Sequence, residues 1–207
     1  MKWHAVVPVK MLSQGKMRLA GVLTPDERRQ LVVTMLQDVT RALAGVGAVT
    51  RRSVVTSDPS IVPADCTYLE DPGLGLNGAL RLVARDEKSV QAEGLLVLPG
   101  DIPFVTADEI ADLTAAHRSG VLAIAPDWAE TGTNGLALSP ANVIDFYFGA
   151  QSLGAHTRAA QSAGLAVTSV HRRGLACDID EPAHLETLLR DGGTRYAFLK
   201  RAVRDVK

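Results

Sequence analysis

The chain alternates between short, largely apolar runs and longer segments that carry helix signals. The strand-like runs are HAVVPV (4–9), RSVVTSD (52–58), GLLVLPGD (94–101) and VLAIAPD (121–127). A run of four to six apolar residues is typical of a strand that is buried on both faces, as in parallel sheets covered by helices. The resulting βαβαβαβ pattern predicts an α/β three-layer sandwich with a mainly parallel sheet.

Helix signals fill the gaps between these runs. A capping box, Thr24 with Glu27, opens the helix between the first two strands, and Gly45 marks its end. A second box, Thr106 with Glu109, opens a helix over 106–120. Apolar residues at helical spacing predict the helix over 76–92.

The second half of the chain is less regular. We predict strands at 133–139 and 165–171 and helices at 141–148, 152–164, 181–193 and 194–207. This break in the alternation predicts a mixed sheet with an antiparallel excursion.

Composition limits the classes of protein to which the chain can belong. With 207 residues and no Pro/Gly/Ser-rich linker, it is predicted to be one domain, residues 1–207. A net charge of -1 gives no nucleic-acid footprint. We expect a cytoplasmic protein without a membrane partner, because there is neither a signal-peptide core nor a run of about 18 apolar residues. Apolar positions in YAFLKRAV (196–203) could pair two copies of the chain, so a homo-oligomer is an open alternative.

Two segments have features of nucleotide-binding loops. The loop after the first strand carries Lys10, Lys16 and Arg18, which could surround a polyphosphate or form a solvated basic loop. In EDPGLGLNGAL, Gly73 and Gly75 precede Asn77 at a helix start. These glycines would let the backbone approach a base or a phosphate, although a plain turn before a helix is the alternative.

Three acids are candidates for a metal site. Asp101 ends the third strand, where ligands bind in open α/β sheets, and Asp178 and Asp180 follow at i, i+2 in CDIDEP. In an extended segment both of the latter side chains point to one face. Carboxylates are ligands suited to Mg²⁺, whereas Asp180 could instead be the N-cap of the next helix.

Small polar residues form the last two candidates. Thr133 and Asn134 lie between two glycines at the start of a strand. Ser152, after Gly149, is predicted as a helix N-cap that could hold a carboxylate or phosphate, and His156 lies one turn further on, facing the same pocket or serving the structure. No GxSxG elbow, Walker A loop or zinc-ligand spacing is present, and Cys66 and Cys177 form no CxxC pair.

Taken in order, these segments resemble the 2-phospho-L-lactate guanylyltransferase family of coenzyme F-420 biosynthesis. The matching segments are PVK with GKMRL, DPGLGLNGAL, LPGDIPFV, GTNGL, the spaced Gly149/Ser152/His156 set and DID, from Pro8 to Asp180. That family is similar to the nucleotide-diphospho-sugar transferase (GT-A)-like nucleotidyltransferases, which implies the same α/β fold here.

The resemblance also implies an activity and a set of roles. GMP would pass from GTP to 2-phospho-L-lactate, phosphoenolpyruvate or 3-phospho-D-glycerate, with release of pyrophosphate. The implied metal ligands for Mg²⁺ are Asp101, Asp178 and Asp180; the implied phosphate-binding residues are Lys10, Lys16 and Arg18, of which Lys16 and Arg18 join Asp101 as catalytic residues. The guanine nucleoside would lie near Gly73, Gly75 and Asn77. The acid would meet Thr133, Asn134, Gly149, Ser152 and His156. The alternatives are a nucleotidyltransferase for a sugar phosphate or the molybdenum cofactor, and a non-catalytic GTP-binding protein.

Overall fold

The protein is built around one mixed β-sheet. The computed structural model describes residues 1–9, 16–86 and 92–205. Within these residues the strands are β1 (Trp3–Pro8), β2 (Val49–Thr56), β3 (Thr67–Glu70), β4 (Gly94–Val97), β5 (Val121–Pro126), β6 (Thr133–Leu138) and β7 (Ala166–Ser169). Their order is β3-β2-β1-β4-β6-β5-β7, and β6 runs antiparallel to both of its neighbours while the other pairs are parallel. The predicted antiparallel excursion is therefore confirmed.

The helices follow the strands closely in sequence. They are α1 (Pro25–Ala44), α2 (Gly75–Asp86), α3 (Ala107–Ala116), α4 (Ser152–Ser162), α5 (Arg173–Ala176), α6 (Pro182–Asp191) and α7 (Lys200–Asp205). Both predicted capping boxes are present: Thr24 Oγ1 accepts from the Glu27 amide at 3.2 Å, and Thr106 Oγ1 accepts from the Glu109 amide at 3.3 Å.

Apolar side chains cover both faces of the sheet. On one face, alternate residues of β1 and β4 pack with α1 and α3 in a cluster that includes Val7, Leu96, Leu43 and Ile110. On the other face, their neighbours pack with α2 and α4 in a cluster that includes Val6, Val97, Leu80 and Ala160. Because successive strand residues point to opposite faces, the strands are apolar throughout, and the three-layer sandwich is confirmed.

The C-terminal segment packs against α1. Tyr196, Leu199 and Ala202 are buried in a third cluster with Leu31 and Met35 of α1. The apolar positions of 196–203 that left self-association open are thus largely used within the chain. The predicted helix over 194–207 is instead a 3-10 helix, Gly193–Leu199, followed by α7.

The sequence prediction was wrong at residues 141–148, which form no helix. The amide of Tyr147 donates to His156 Nε2 at 3.0 Å, and the amide of Phe148 donates to Asn77 Oδ1 at 2.8 Å. These amides bond to distant side chains rather than to carbonyls four residues back. Two short elements were also missed, β3 and α5, because neither carries an apolar run or a periodic pattern.

The topology brings several strand ends together at one side of the sheet, here called the site edge. The carboxyl ends of β1 and β4 and the amino end of β6 open at this edge, since β6 is antiparallel. Ligands in open α/β sheets bind at the carboxyl ends of the strands. In the described part of the chain, no helix is long and apolar enough to cross a membrane.

Candidate functional site

A cleft of about 500 Å³ lies at this edge of the sheet. The predicted site residues that line it are Lys16, Arg18, Asp101, Thr133, Asn134, Gly149, Ser152, Asp178 and Asp180. Segments from five parts of the chain, up to 164 residues apart, therefore meet in one place. Lys10 lies outside the described residues.

The centre of the cleft is an ammonium group held by two carboxylates. Lys16 Nζ lies 2.6 Å from Asp101 Oδ2 and 2.5 Å from Asp180 Oδ1, and the Lys16 side chain is only 8% exposed. Burial alone would lower the pKa of Lys16, but the two carboxylates outweigh it and raise the pKa above its usual value. The Lys16 side chain is therefore positively charged at neutral pH.

Backbone contacts place the acids. Asp101 follows β4, and its carbonyl accepts a hydrogen bond from the amide of Ile179 at 3.0 Å. Ile179 is fully buried, so Asp178 and Asp180 on either side of it both reach the cleft. Asp180 is not a helix N-cap, since α6 begins at Pro182 after Glu181.

The environment of Asp178 disfavours its charged form. Burial raises its pKa, and the charges of Asp101 and Asp180 raise it further. The Asn134 amide group opposes this shift, since Nδ2 lies 3.4 Å from Asp178 Oδ1 while also donating to the carbonyl of Ala176 at 3.3 Å. The three carboxylates are thus close enough to repel one another.

The donor set of this cluster fits a hard cation such as Mg²⁺. The cluster holds three carboxylates and one ammonium group, which leaves two negative charges when all three carboxylates are ionised. Among the described residues, however, no group of three or more His, Cys, Asp or Glu side chains is already arranged as a metal site. The Lys16 ammonium lies between Asp101 and Asp180, so a metal ion between these two carboxylates would require Lys16 to move.

One wall of the cleft is built from small polar residues. Thr133 is the first residue of β6 and is 6% exposed, and Ser152 at the start of α4 is 2% exposed. Ser152 is not the N-cap that the sequence predicted, because Gln151 takes that place with a φ of 58°. Gly149 has a φ of 132°, which favours glycine at this point of the wall.

His156 lies behind this wall and does not line the cleft. Its ring is fully buried, with Nδ1 3.1 Å from Thr133 Oγ1 and Nε2 accepting from the amide of Tyr147 at 3.0 Å. Burial lowers the pKa of His156 to about 4, so the ring is neutral at pH 7.

The glycine-rich segment contributes less directly than expected. Gly73 and Gly75 have φ angles of 73° and 71° and form the turn into α2, but neither lines the cleft. Asn77 donates to the carbonyl of Phe148 at 3.0 Å and accepts from its amide, so it braces the loop before Gly149. Sequence reasoning missed Asp71, which lines the cleft and accepts from the Gly73 amide at 3.0 Å. Its position just before the Pro-Gly turn was the available signal.

Arg18 lies at the rim of the cleft. Its side chain is 70% exposed, and its guanidinium lies 3.4 Å from a carboxylate oxygen of Glu181. A surface pair of this kind contributes little to stability, so Arg18 can turn to another anion at low cost.

Comparison with known proteins identifies relatives over nearly the whole chain. The family described as guanylyl transferase CofC like matches residues 3–207. A phosphoenolpyruvate guanylyltransferase from Sphaerobacter thermophilus is 44% identical over 189 residues, covering 89% of this chain and 91% of the relative. The enzyme of that name from Rubrobacter xylanophilus is 38% identical over 201 residues, covering 95% and 98%.

Solved structures show the same fold at low sequence identity. A protein assigned as a nucleotide-diphospho-sugar transferase from Desulfovibrio desulfuricans has a TM-score of 0.79 at 16% identity, covering 99% of this chain and 98% of its own. A nucleotidyl transferase from Methanothermobacter has a TM-score of 0.67 at 15% identity, covering 92% and 97%. These likenesses confirm the GT-A-like fold, and the family match with its close relatives shows that the chain belongs to the CofC-like guanylyl transferase family.

Proposed function

We propose that this protein transfers GMP from GTP to a small phosphorylated acid, with release of pyrophosphate, in coenzyme F-420 biosynthesis. The observation that carries the proposal is the cleft itself, where Lys16 and three carboxylates adjoin the wall of Thr133 and Ser152. A guanylyltransferase needs a charged centre for a triphosphate beside a polar pocket for its acceptor. The cleft has both.

The main obstacle to this reaction is the repulsion between two anionic substrates. Lys16 supplies a buried positive charge, and Arg18 at the rim can turn toward a phosphate oxygen. We therefore assign the phosphates of GTP to the side of the cleft that holds Lys16 and Arg18.

We assign a magnesium ion to the acids of the cleft. Asp101, Asp178 and Asp180 would hold it through carboxylate oxygens. When bound, Mg²⁺ would act as a Lewis acid on the phosphate oxygens. Lys16 would then leave the space between Asp101 and Asp180 and pair with the triphosphate.

The transfer requires no strong general base. A phosphate oxygen of the acceptor attacks the α-phosphorus of GTP and forms a new P–O bond. The bond between the α-phosphorus and the bridging oxygen to the β-phosphorus breaks, and that oxygen leaves with its electron pair as part of pyrophosphate. Since a phosphate monoester is an anion near neutral pH, it is already a competent nucleophile.

Phosphoenolpyruvate is the acceptor that we propose first. Both relatives described above carry the name phosphoenolpyruvate guanylyltransferase, and they cover nearly the whole chain. The wall of Thr133, Gly149 and Ser152 offers hydroxyl and backbone groups suited to a carboxylate or phosphate. 2-Phospho-L-lactate and 3-phospho-D-glycerate remain the competing acceptors.

The test measures pyrophosphate release with Mg²⁺ and each of the four nucleoside triphosphates against the three acids. We expect release with GTP that depends on one acid and that falls at least 100-fold in Asp101→Asn. Asp65→Asn is the matched control, because Asp65 pairs with Arg52 at the surface and does not line the cleft. Release with another nucleotide and a sugar phosphate would contradict the proposal, as would nucleotide binding without release for any acid.

A further inference from the structure

We infer that His156 is a positioning residue for the acceptor acid. It turns the hydroxyl hydrogen of Thr133 toward the acid that binds at the wall of Thr133, Gly149 and Ser152. This inference rests on the proposed function, since it concerns the same cleft. His156 itself does not line the cleft, so it would act through the residues that do.

The hydrogen bonds of the ring determine its tautomer. The backbone amide of Tyr147 can only donate, and it points at Nε2 over 3.0 Å. Nε2 must therefore be the unprotonated nitrogen of a neutral ring, and the hydrogen lies on Nδ1. The low pKa of His156, near 4 because of burial, agrees with a neutral ring.

The tautomer in turn determines the direction of the Thr133 hydroxyl. Nδ1 lies 3.1 Å from Thr133 Oγ1, and the ring also hydrogen-bonds the backbone of Ser152. Whichever of these oxygens takes the Nδ1 hydrogen, Nδ1 has no lone pair for a hydrogen from Thr133. The hydroxyl hydrogen of Thr133 is therefore directed away from His156, and Thr133 lines the cleft.

The same ring joins the three parts of the acceptor wall. It contacts Thr133 at the start of β6 and Ser152 at the start of α4, and it holds the loop before Gly149 through Tyr147. The ring of Phe148 also packs edge-on against it, with centroids 4.9 Å apart. One buried side chain thus fixes every segment that we assign to the acid, and a hydroxyl donor aimed into the cleft suits an anionic oxygen.

Two variants of His156 separate the contacts. In His156→Asn the amide nitrogen can replace Nδ1 as a donor to Thr133, whereas in His156→Gln the amide oxygen can replace Nε2 as the acceptor for Tyr147. We expect His156→Gln to raise the KM of the acid about tenfold or more without changing the KM of GTP, because a hydrogen bond to a charged group is lost. His156→Asn should raise the KM of the acid less than His156→Gln does.

The single variant Thr133→Val and the double variant with His156→Gln test whether His156 and the Thr133 hydroxyl are coupled. If His156 acts through the Thr133 hydroxyl, the double variant should be little worse than Thr133→Val alone. His4→Gln is the control for replacing a buried histidine, since His4 is 1% exposed and its Nε2 lies 2.7 Å from Ser53 Oγ in the core. It should lower stability and leave the KM of the acid unchanged.

Calorimetric binding of phosphoenolpyruvate, with Mg²⁺ and GTP present in turn, gives a readout that needs no turnover. Wild-type protein that binds the acid without transfer would refute the proposed function alone. An unchanged affinity and KM for the acid in His156→Gln, or an equal rise for GTP and acid, would overturn the role of His156. If the wild type binds none of phosphoenolpyruvate, 2-phospho-L-lactate and 3-phospho-D-glycerate, both proposals are overturned.

Discussion

Because the ring of His156 is buried, we predict how the free energy of unfolding changes with pH. Burial lowers its pKa from 6.5 to about 4 in the folded protein. As the pH falls, the unfolded chain therefore takes up a proton before the folded chain does. The contribution of the neutral ring is fully present above pH 6.5 and is lost as the pH falls toward 4. A shift of this size corresponds to about 3 kcal/mol, at 1.36 kcal/mol for each pKa unit.

Urea unfolding of the wild type and His156→Gln at intervals from pH 7.5 to 4.5 measures this contribution. Carboxylates titrate in both proteins, so their effect largely cancels in the difference between the two free energies of unfolding. We expect that difference to change by about 2.5 kcal/mol over the range, in the direction that costs the wild type more at low pH. A difference that is independent of pH would refute the neutral, buried ring and with it the tautomer argument.

Three further predictions concern the cleft. Mg²⁺ should raise the melting temperature of the wild type, by the equivalent of about 2.7 kcal/mol at a hundred times its dissociation constant, and Asp178→Asn should reduce that rise in a calorimetric scan. Lys16→Met should lower kcat for pyrophosphate release about 100-fold while the circular dichroism spectrum is unchanged, since it removes a positive charge that we assign to the phosphates of GTP. Asn77→Ala should raise the KM of the acid more than the KM of GTP in the same assay, because the Asn77 side chain bonds the Phe148 backbone.

The sequence predicts those parts of the fold that depend on neighbouring residues. The capping boxes at Thr24 and Thr106 require only a hydroxyl and a glutamate three residues later, and both formed. Asp101 lies four residues after the end of β4, and the apolar run that stops at Pro99 is a local signal for its position as well. Asp178 and Asp180 share the cleft because alternate residues of an extended segment point to one side.

The parts of the structure that the sequence does not predict depend on contacts between residues that are far apart in the chain. The apolar spacing of 141–148 fits a helix, yet His156 and Asn77 take the amides of Tyr147 and Phe148. The bond from Asn77 joins residues 71 positions apart, so no window along the chain contains it. The place of Lys16 between Asp101 and Asp180 likewise depends on partners 85 and 164 residues away.

Phe148 links the segment that we assign to the nucleotide with the wall that we assign to the acid. Asn77 belongs to the segment assigned to the nucleotide, but its side chain bonds both the amide and the carbonyl of Phe148. The Phe148 ring packs against His156, which holds the opposite side of the same loop. A shift of α2 on nucleotide binding would therefore reach Gly149 through two hydrogen bonds, without a further conformational element. If binding of GTP and acid is coupled through the protein, this loop is one physical connection that can carry the coupling.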